Sequence, residues 1–164
     1  MATTSAAVPG VGTTAGTVSC ADATTATLYV DSGYVSVLGR VALAGGAGAY
    51  ALQTATSRVP DPSKRFWSKT GLLVRGDDEI VLEAPEAEEF WFGWGSPADP
   101  AKRLTIRECG GDSNVWTVFV GGFWTDRPKC VHLTVRASGA ETSLPVGLGA
   151  PCPGQLPPLG PTER

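Results

Sequence analysis

The sequence predicts an all-β domain: an antiparallel β-sandwich, immunoglobulin-like or jelly-roll-like, stabilised by disulfides. Three observations carry that expectation. Short runs rich in Val, Thr, Leu, Ile and aromatic residues recur at regular spacing, most with apolar and polar residues alternating. Turn formers separate them, with 21 Gly and 13 Pro in 164 residues, which leaves no room for a long helix. The four cysteines are an even number, as a disulfide framework requires.

Composition narrows the class. A chain with 42% hydrophobic and 18% charged residues can bury a core and is neither disordered nor membrane-like. The net charge of −3 gives no basic footprint for nucleic acid or an anionic membrane. The longest uncharged run, 41–57, is mostly Ala, Gly and Thr and too weakly apolar to insert into a bilayer. The opening Met1-Ala-Thr-Thr-Ser-Ala-Ala has neither the basic nor the apolar segment of an export signal. Two explanations compete, a cytosolic protein and an exported one whose signal has been removed; the cysteines and the disordered-looking leader favour the second.

Residues 1–26 hold one charged residue, Asp22, among Ala, Thr, Gly and Ser, and read as a flexible leader with Cys20 pinning its end. The sandwich is expected over 27–152. Its first strands are Thr27–Val30 and Tyr34–Leu38, split by a hairpin or tight turn at Asp31-Ser32-Gly33, followed by Arg40–Ala44 and a weaker Tyr50–Thr56. Prolines make 58–63 a loop. Gly71–Arg75 and Glu79–Ala84 flank Gly76-Asp77-Asp78, a hairpin signal. Phe90, Phe92 and Trp94 alternate against Trp91, so this strand is apolar on both faces. Leu104 and Ile106 alternate with Arg103, Thr105 and Arg107; Val115–Val120 reads as a central strand. A loop over Gly121–Lys129 leads to Val131, Leu133 and Val135, and Ser138-Gly139 turns the chain into Glu141–Leu148. Residues 153–164 read as a polyproline-like tail or linker.

Candidate chemistry is sparse. His132, the only histidine, lies on the polar face of its strand, and no Gly-x-Ser-x-Gly elbow supplies a nucleophile. Glu83, Glu86, Glu88 and Glu89 suggest a glycosidase pair only if two of them, or one with Asp77 or Asp78, converge across a cleft. Asp77-Asp78-Glu79 lacks the alternating pattern of a calcium loop. Gly93-Trp-Gly-Ser-Pro-Ala imitates a dinucleotide fingerprint, but Pro97 and Pro100 block the helix it needs. One histidine and no Cys-x-x-Cys argue against zinc. No cofactor or metal is expected. The aromatics are the stronger signal. Phe90, Phe92 and Trp94 cannot face the same way as Trp91, so either both faces are covered or one displays an aromatic platform suited to sugar rings or a protein partner. The candidate ligand-binding residues are Trp124 and Trp94, with Asp126 and Arg127, Trp124 being expected exposed in a loop.

Three disulfide connectivities are possible. In a simple meander Cys109 and Cys130 sit at opposite ends of the sheet, beyond the roughly 7 Å reach of a disulfide, unless strands 115–121 and 130–136 lie in different sheets and the loop over Gly121–Lys129 brings the two together. The hairpin through Ser138-Gly139 instead carries Cys152 back toward Cys130.

Trp67-Ser-Lys-Thr-Gly-Leu-Leu-Val, Trp94-Gly-Ser-Pro, Glu108-Cys-Gly-Gly, Trp116-Thr-Val-Phe-Val-Gly-Gly-Phe-Trp, Lys129-Cys-Val-His-Leu-Thr-Val-Arg and Val146-Gly-Leu-Gly-Ala-Pro-Cys-Pro-Gly together resemble a group of uncharacterised exported proteins of actinobacteria, over about 65–154. The resemblance implies an extracytoplasmic location and disulfides, and it is what places Cys109–Cys130 with Cys20–Cys152 ahead of Cys130–Cys152 with Cys20–Cys109. It implies no activity. The expected function is that of a non-catalytic envelope module binding a glycan or a protein. The alternatives are a structural envelope component, toward which the proline-rich tail points, and a carboxylate-dependent hydrolase.

Overall fold

The computed structural model describes residues 14–45, 49–110 and 114–160. These residues form fourteen strands and two 3-10 turns, with no α-helix among them. In chain order the first seven strands are β1 (Ala15–Ser19), β2 (Thr25–Thr27), β3 (Tyr34–Val37), β4 (Val41–Ala44), β5 (Ala55–Thr56), β6 (Phe66–Lys69) and β7 (Leu72–Val74). The rest are β8 (Ile80–Glu83), β9 (Phe90–Trp94), β10 (Arg103–Arg107), β11 (Trp116–Phe119), β12 (Gly121–Thr125), β13 (Lys129–Ala137) and β14 (Ala140–Leu148). The expected all-β class is therefore the observed one.

One layer is a five-stranded sheet ordered β1-β10-β8-β13-β14. The other layer is two sheets, β2-β11-β7-β4-β3 and β5-β6-β12-β9, which share bent strands. Only Thr70-Gly71 separates β6 from β7, and only Val120 separates β11 from β12. The hydrogen bond from Thr70 N to Gly121 O (3.0 Å) keeps the two bends side by side. Strands that switch sheets at a bend let one chain wrap a core on two sides. That core takes Ile80, Leu82, Leu104, Ile106, Val131, Leu133 and Val135 from the first layer, and Phe90, Phe92, Trp94, Phe119 and Phe123 from the second.

Several expectations need correction. Asp31-Ser32-Gly33 is a tight turn, with Tyr34 N bonded to Asp31 O at 3.0 Å, but not a hairpin: β2 and β3 lie on opposite edges of their sheet. Nor does Gly76-Asp77-Asp78 close a hairpin, because β7 pairs with β4 and β11 whereas β8 pairs with β10 and β13. The turn is a crossing between layers. Arg40 holds it, donating from Nη2 to Asp78 O at 2.7 Å and from Nε to Arg75 O. The predicted loop over 121–129 is β12 for its first five residues. Ser138-Gly139 does make the β13–β14 hairpin; both residues have positive φ (52° and 74°), as the tight two-residue turn requires.

The leading cysteine pairing is wrong. The disulfides are Cys20–Cys109 and Cys130–Cys152. Strands β10 and β13 both run antiparallel to β8, so Cys109, past the end of β10, and Cys130, at the start of β13, lie at opposite ends of the sheet. Cys130 pairs in register with Gly147, and the chain reverses at Gly149 (φ +73°) to bring Cys152 alongside, with Cα atoms 4.8 Å apart. Cys109 finds Cys20 because β1 runs parallel to β10, matching Ser19 with Arg107.

Residues 15–19, read as flexible leader, are thus an edge strand; the leader's first 13 residues lie outside the described ones. The tail also differs. Residues 153–160 fold back along 49–53: Ala51 N donates to Leu156 O (2.9 Å), the Gln155 side-chain amide to Gly45 O, and Cys152 N to Gln155 Oε1 (2.8 Å).

Serine replacement of each disulfide is expected to follow the chain entropy released, with separations of 89 residues for Cys20–Cys109 and 22 for Cys130–Cys152. The losses are about 4–5 and about 3–4 kcal/mol respectively. Urea unfolding of the two double variants checks this order; a reversed order contradicts it.

Candidate functional site

The site is built on the sheet β5-β6-β12-β9. Along β9, Phe90, Phe92 and Trp94 point into the core, each at most 1% exposed, which turns Trp91 outward. The registers Trp124↔Trp67 and Trp124↔Trp91 then place three tryptophans side by side across β6, β12 and β9 on the outer face. Trp67 and Trp124 have ring centroids 4.3 Å apart and planes tilted by 48°. Flanked on both sides, Trp124 keeps only 6% of its surface, while Trp67 and Trp91 are partly exposed. An open groove of about 480 Å³ lies against Trp67 and Trp124, and Ala55, Thr56, Ser57, Arg58 and Val59 form its other wall.

Lysines cover the far end of the row. Ala101 exchanges two backbone hydrogen bonds with Phe92 (2.8 and 3.0 Å), so its neighbour Lys102 emerges beside Trp91, with Nζ 4.8 Å from the ring centroid. Lys64 ends the 3-10 turn Pro62–Lys64 and puts its Nζ 3.9 Å from the same centroid. Asp61 caps that turn. It accepts from Ser63 N (2.9 Å) and Lys64 Nζ (2.7 Å), and the Lys64 hydrogen bond, followed by the Ser63 N–H, holds its carboxyl down to about 2. Lys129 Nζ bonds Asp126 Oδ1 at 2.8 Å. Lys102 has a backbone carbonyl instead, Glu88 O at 3.0 Å. Burial lowers its pKa; Glu89 works against that, and the Lys129 and Lys64 charges add to it. The Trp91 Nε1 N–H is shut off from solvent and has no acceptor among the described residues, a local cost of about 1–3 kcal/mol that the surrounding packing must offset.

The four ligand-binding candidates meet different fates. Trp124 belongs to the row, but as its buried centre and on a strand, not as an exposed loop residue. Trp94 is core: it is 1% exposed, lies 5.3 Å from Phe123 centroid to centroid, and donates from Nε1 to Thr70 O at 2.9 Å. Burial alone would raise the Asp126 carboxyl, but the Lys129 hydrogen bond and charge carry it below the ordinary value. Arg127 is exposed on the β12–β13 turn. The row and its surroundings also bring together Trp67, Trp91, Arg58 and Lys102, which are not among those four candidates. Alternation put Trp91 opposite the core face; placing Trp67 beside it required the register of β12.

Three of the carboxylates considered for hydrolysis have basic partners. Glu83 faces Arg103 and Arg136 (3.3 and 3.4 Å), and Glu88 faces His132 Nδ1 (3.0 Å). Asp78 lies beyond the other end of β8, at least a strand length of roughly 10 Å from Glu83, and faces Arg40 at 3.3 Å. Among the described residues no three His, Cys, Asp or Glu side chains assemble to hold a metal, and no helix is long and apolar enough to cross a membrane. No family model, no curated protein and no solved structure matches this chain.

The position of Lys102 has a pH signature. Its folded pKa lies below the ordinary 10.5, so over the interval just beneath 10.5 the unfolded chain binds more protons and stability rises with pH. Lys102→Met is expected to flatten that rise. Thermal midpoints measured from about pH 8 to 10 read it directly, and an unchanged slope counts against the placement.

Proposed function

We propose that this chain is a non-catalytic, exported binding module of the cell envelope, and that it holds a glycan by stacking a sugar ring on Trp67 in the groove against Trp124. The observation that carries this reading is the tryptophan row on the outer face of a sheet whose inner face already fills the core. Core packing accounts for Phe90, Phe92, Trp94 and Phe123. It does not account for indoles on the opposite face, beside an open groove.

The groove suits a saccharide. An indole face offers apolar contact to the C–H side of a sugar, while Ser57 and Arg58 supply polar groups at its rim. The row is preorganised because three strands fix it, so binding orders little that is not already ordered. Two disulfides support an oxidising, extracytoplasmic setting, and the resemblance to exported actinobacterial proteins points the same way. The alternative of a structural assembly component drew on a free proline-rich tail, but 153–160 is bonded back along 49–53.

The test is co-sedimentation of the non-reduced protein with peptidoglycan, arabinogalactan and a panel of insoluble neutral and acidic polysaccharides. Retention on at least one polymer is expected. Trp67→Ala, which removes a partly exposed ring and leaves the core intact, is expected to weaken it about thirtyfold, as loss of a central aromatic anchor does. Retention on no polymer, or retention indifferent to Trp67→Ala, contradicts the reading.

A further inference from the structure

Charge on this molecule is unevenly partnered. On the five-stranded layer, Arg103, Arg107 and Arg136 each face a glutamate at 2.9–3.4 Å, and Arg40 faces Asp78. The tryptophan face is different. Lys69 follows Trp67 by two residues on β6 and so shares its outward side. Arg58 stands on the groove wall, Lys102 against Trp91, and Arg127 on the turn after β12. None of these four enters an ion pair among the described residues; Arg65 and Arg75, also outside ion pairs, stack on Phe66 and Trp116. The chain carries a net charge of −3, yet among the described residues no carboxylate is in ion-pair contact with any of these four, although Glu89 acts on Lys102 from further off.

Lys102 is the most telling of the four. It is half-buried, held by a carbonyl oxygen and two aromatic rings, and the like charges that act on it, Lys64 and Lys129, are already paired with Asp61 and Asp126. A partly desolvated cation with no carboxylate in ion-pair contact, only the longer-range charges of Glu89 and Glu88, gains from an anion brought by a ligand. Adjacent strands are about 4.8 Å apart, so Trp67 on β6 and Trp91 on β9, with β12 between them, lie roughly 10 Å apart. A short run of sugars in one chain spans that distance.

We infer that the ligand of the tryptophan face is an acidic polysaccharide, one whose sugar ring stacks on Trp67 while its carboxylate, sulfate or phosphate groups meet Arg58 at the groove and Lys102 beside Trp91. This rests on the stacking function proposed above and adds the charge of the ligand. The lysine cluster and the groove are then two ends of one binding surface, not separate sites.

Matched polymers separate the two ideas. Affinity electrophoresis is run in polygalacturonate against its methyl ester, and in dextran sulfate against dextran. The acidic member of at least one pair is expected to retard the protein at least tenfold more strongly than its neutral partner. Lys102→Gln and Arg58→Gln are each expected to weaken that retardation about fivefold, the scale of one partly exposed ion pair, and the losses shrink as salt is raised. Arg58 is exposed, so its variant tests the inference even if Lys102→Gln perturbs packing around Trp91. Equal retardation by acidic and neutral members, sensitive to Trp67→Ala, overturns the anionic inference and leaves stacking standing. No retardation by either acidic polymer overturns it as well, even if a neutral polymer binds. Retardation by polyglutamate as strong as by the acidic polysaccharides, unchanged in Trp67→Ala, reduces the face to a simple ion exchanger and overturns it too.

Discussion

Strand β12 is the element on which both core and site depend, because it sets an aromatic ring on each of its faces. Phe123 packs inward, 5.3 Å from Trp94 and 6.3 Å from both Phe90 and Phe92 between ring centroids. Trp124 packs outward between Trp67 and Trp91. Its first two residues are glycines because the backbones cross there: a Cβ on Gly121 would strike Gly93 O, and one on Gly122 would strike Ser68 O. Five residues therefore close the core, permit the bend between sheets and fix the spacing of the tryptophan row. Loosening β12 loosens all three together.

The sequence made the fold class legible because alternation and turn residues are local signals. Val131, Leu133 and Val135 against His132 and Thr134, or Leu104 and Ile106 against two arginines, need no knowledge of partners to be read as strands. Connectivity was less legible. Gly76-Asp77-Asp78 has the composition of a hairpin, yet Arg40, thirty-odd residues earlier, turns it into a crossing between layers. Ala15–Ser19 carries almost no strand signal; parallel pairing with β10 and the Cys20–Cys109 bond hold it. That strand brings Cys20 to Cys109, the partner that the resemblance had given as Cys130. The site was half legible for the same reason. That Trp91 opposes Phe90 and Phe92 follows from the period of a strand, but that Trp67, Trp124 and Trp91 form one row follows only from register.

The tail and the groove are linked through the segment they share. Residues 49–53, to which 153–160 is bonded, lead directly into β5 and the groove wall at 55–59. Gln155 and the Cys130–Cys152 bond thus help to position one side of the groove, while Asp61, through its cap on the 3-10 turn, positions Lys64 at the other end of the row. Such support keeps a shallow, solvent-facing site in a defined shape without a deep pocket.

The most direct test of the account is indole N–H spectroscopy of the 15N-tryptophan-labelled protein, titrated with whichever polysaccharide it retains. The five tryptophans are natural reporters with different predicted behaviour. The account predicts that the Trp67 resonance shifts most and the Trp91 resonance next, while Trp94 and Trp116, buried away from the outer face of this sheet, stay in place. Shifts confined to Trp94 or Trp116, or a titration in which Trp67 does not move, would contradict it.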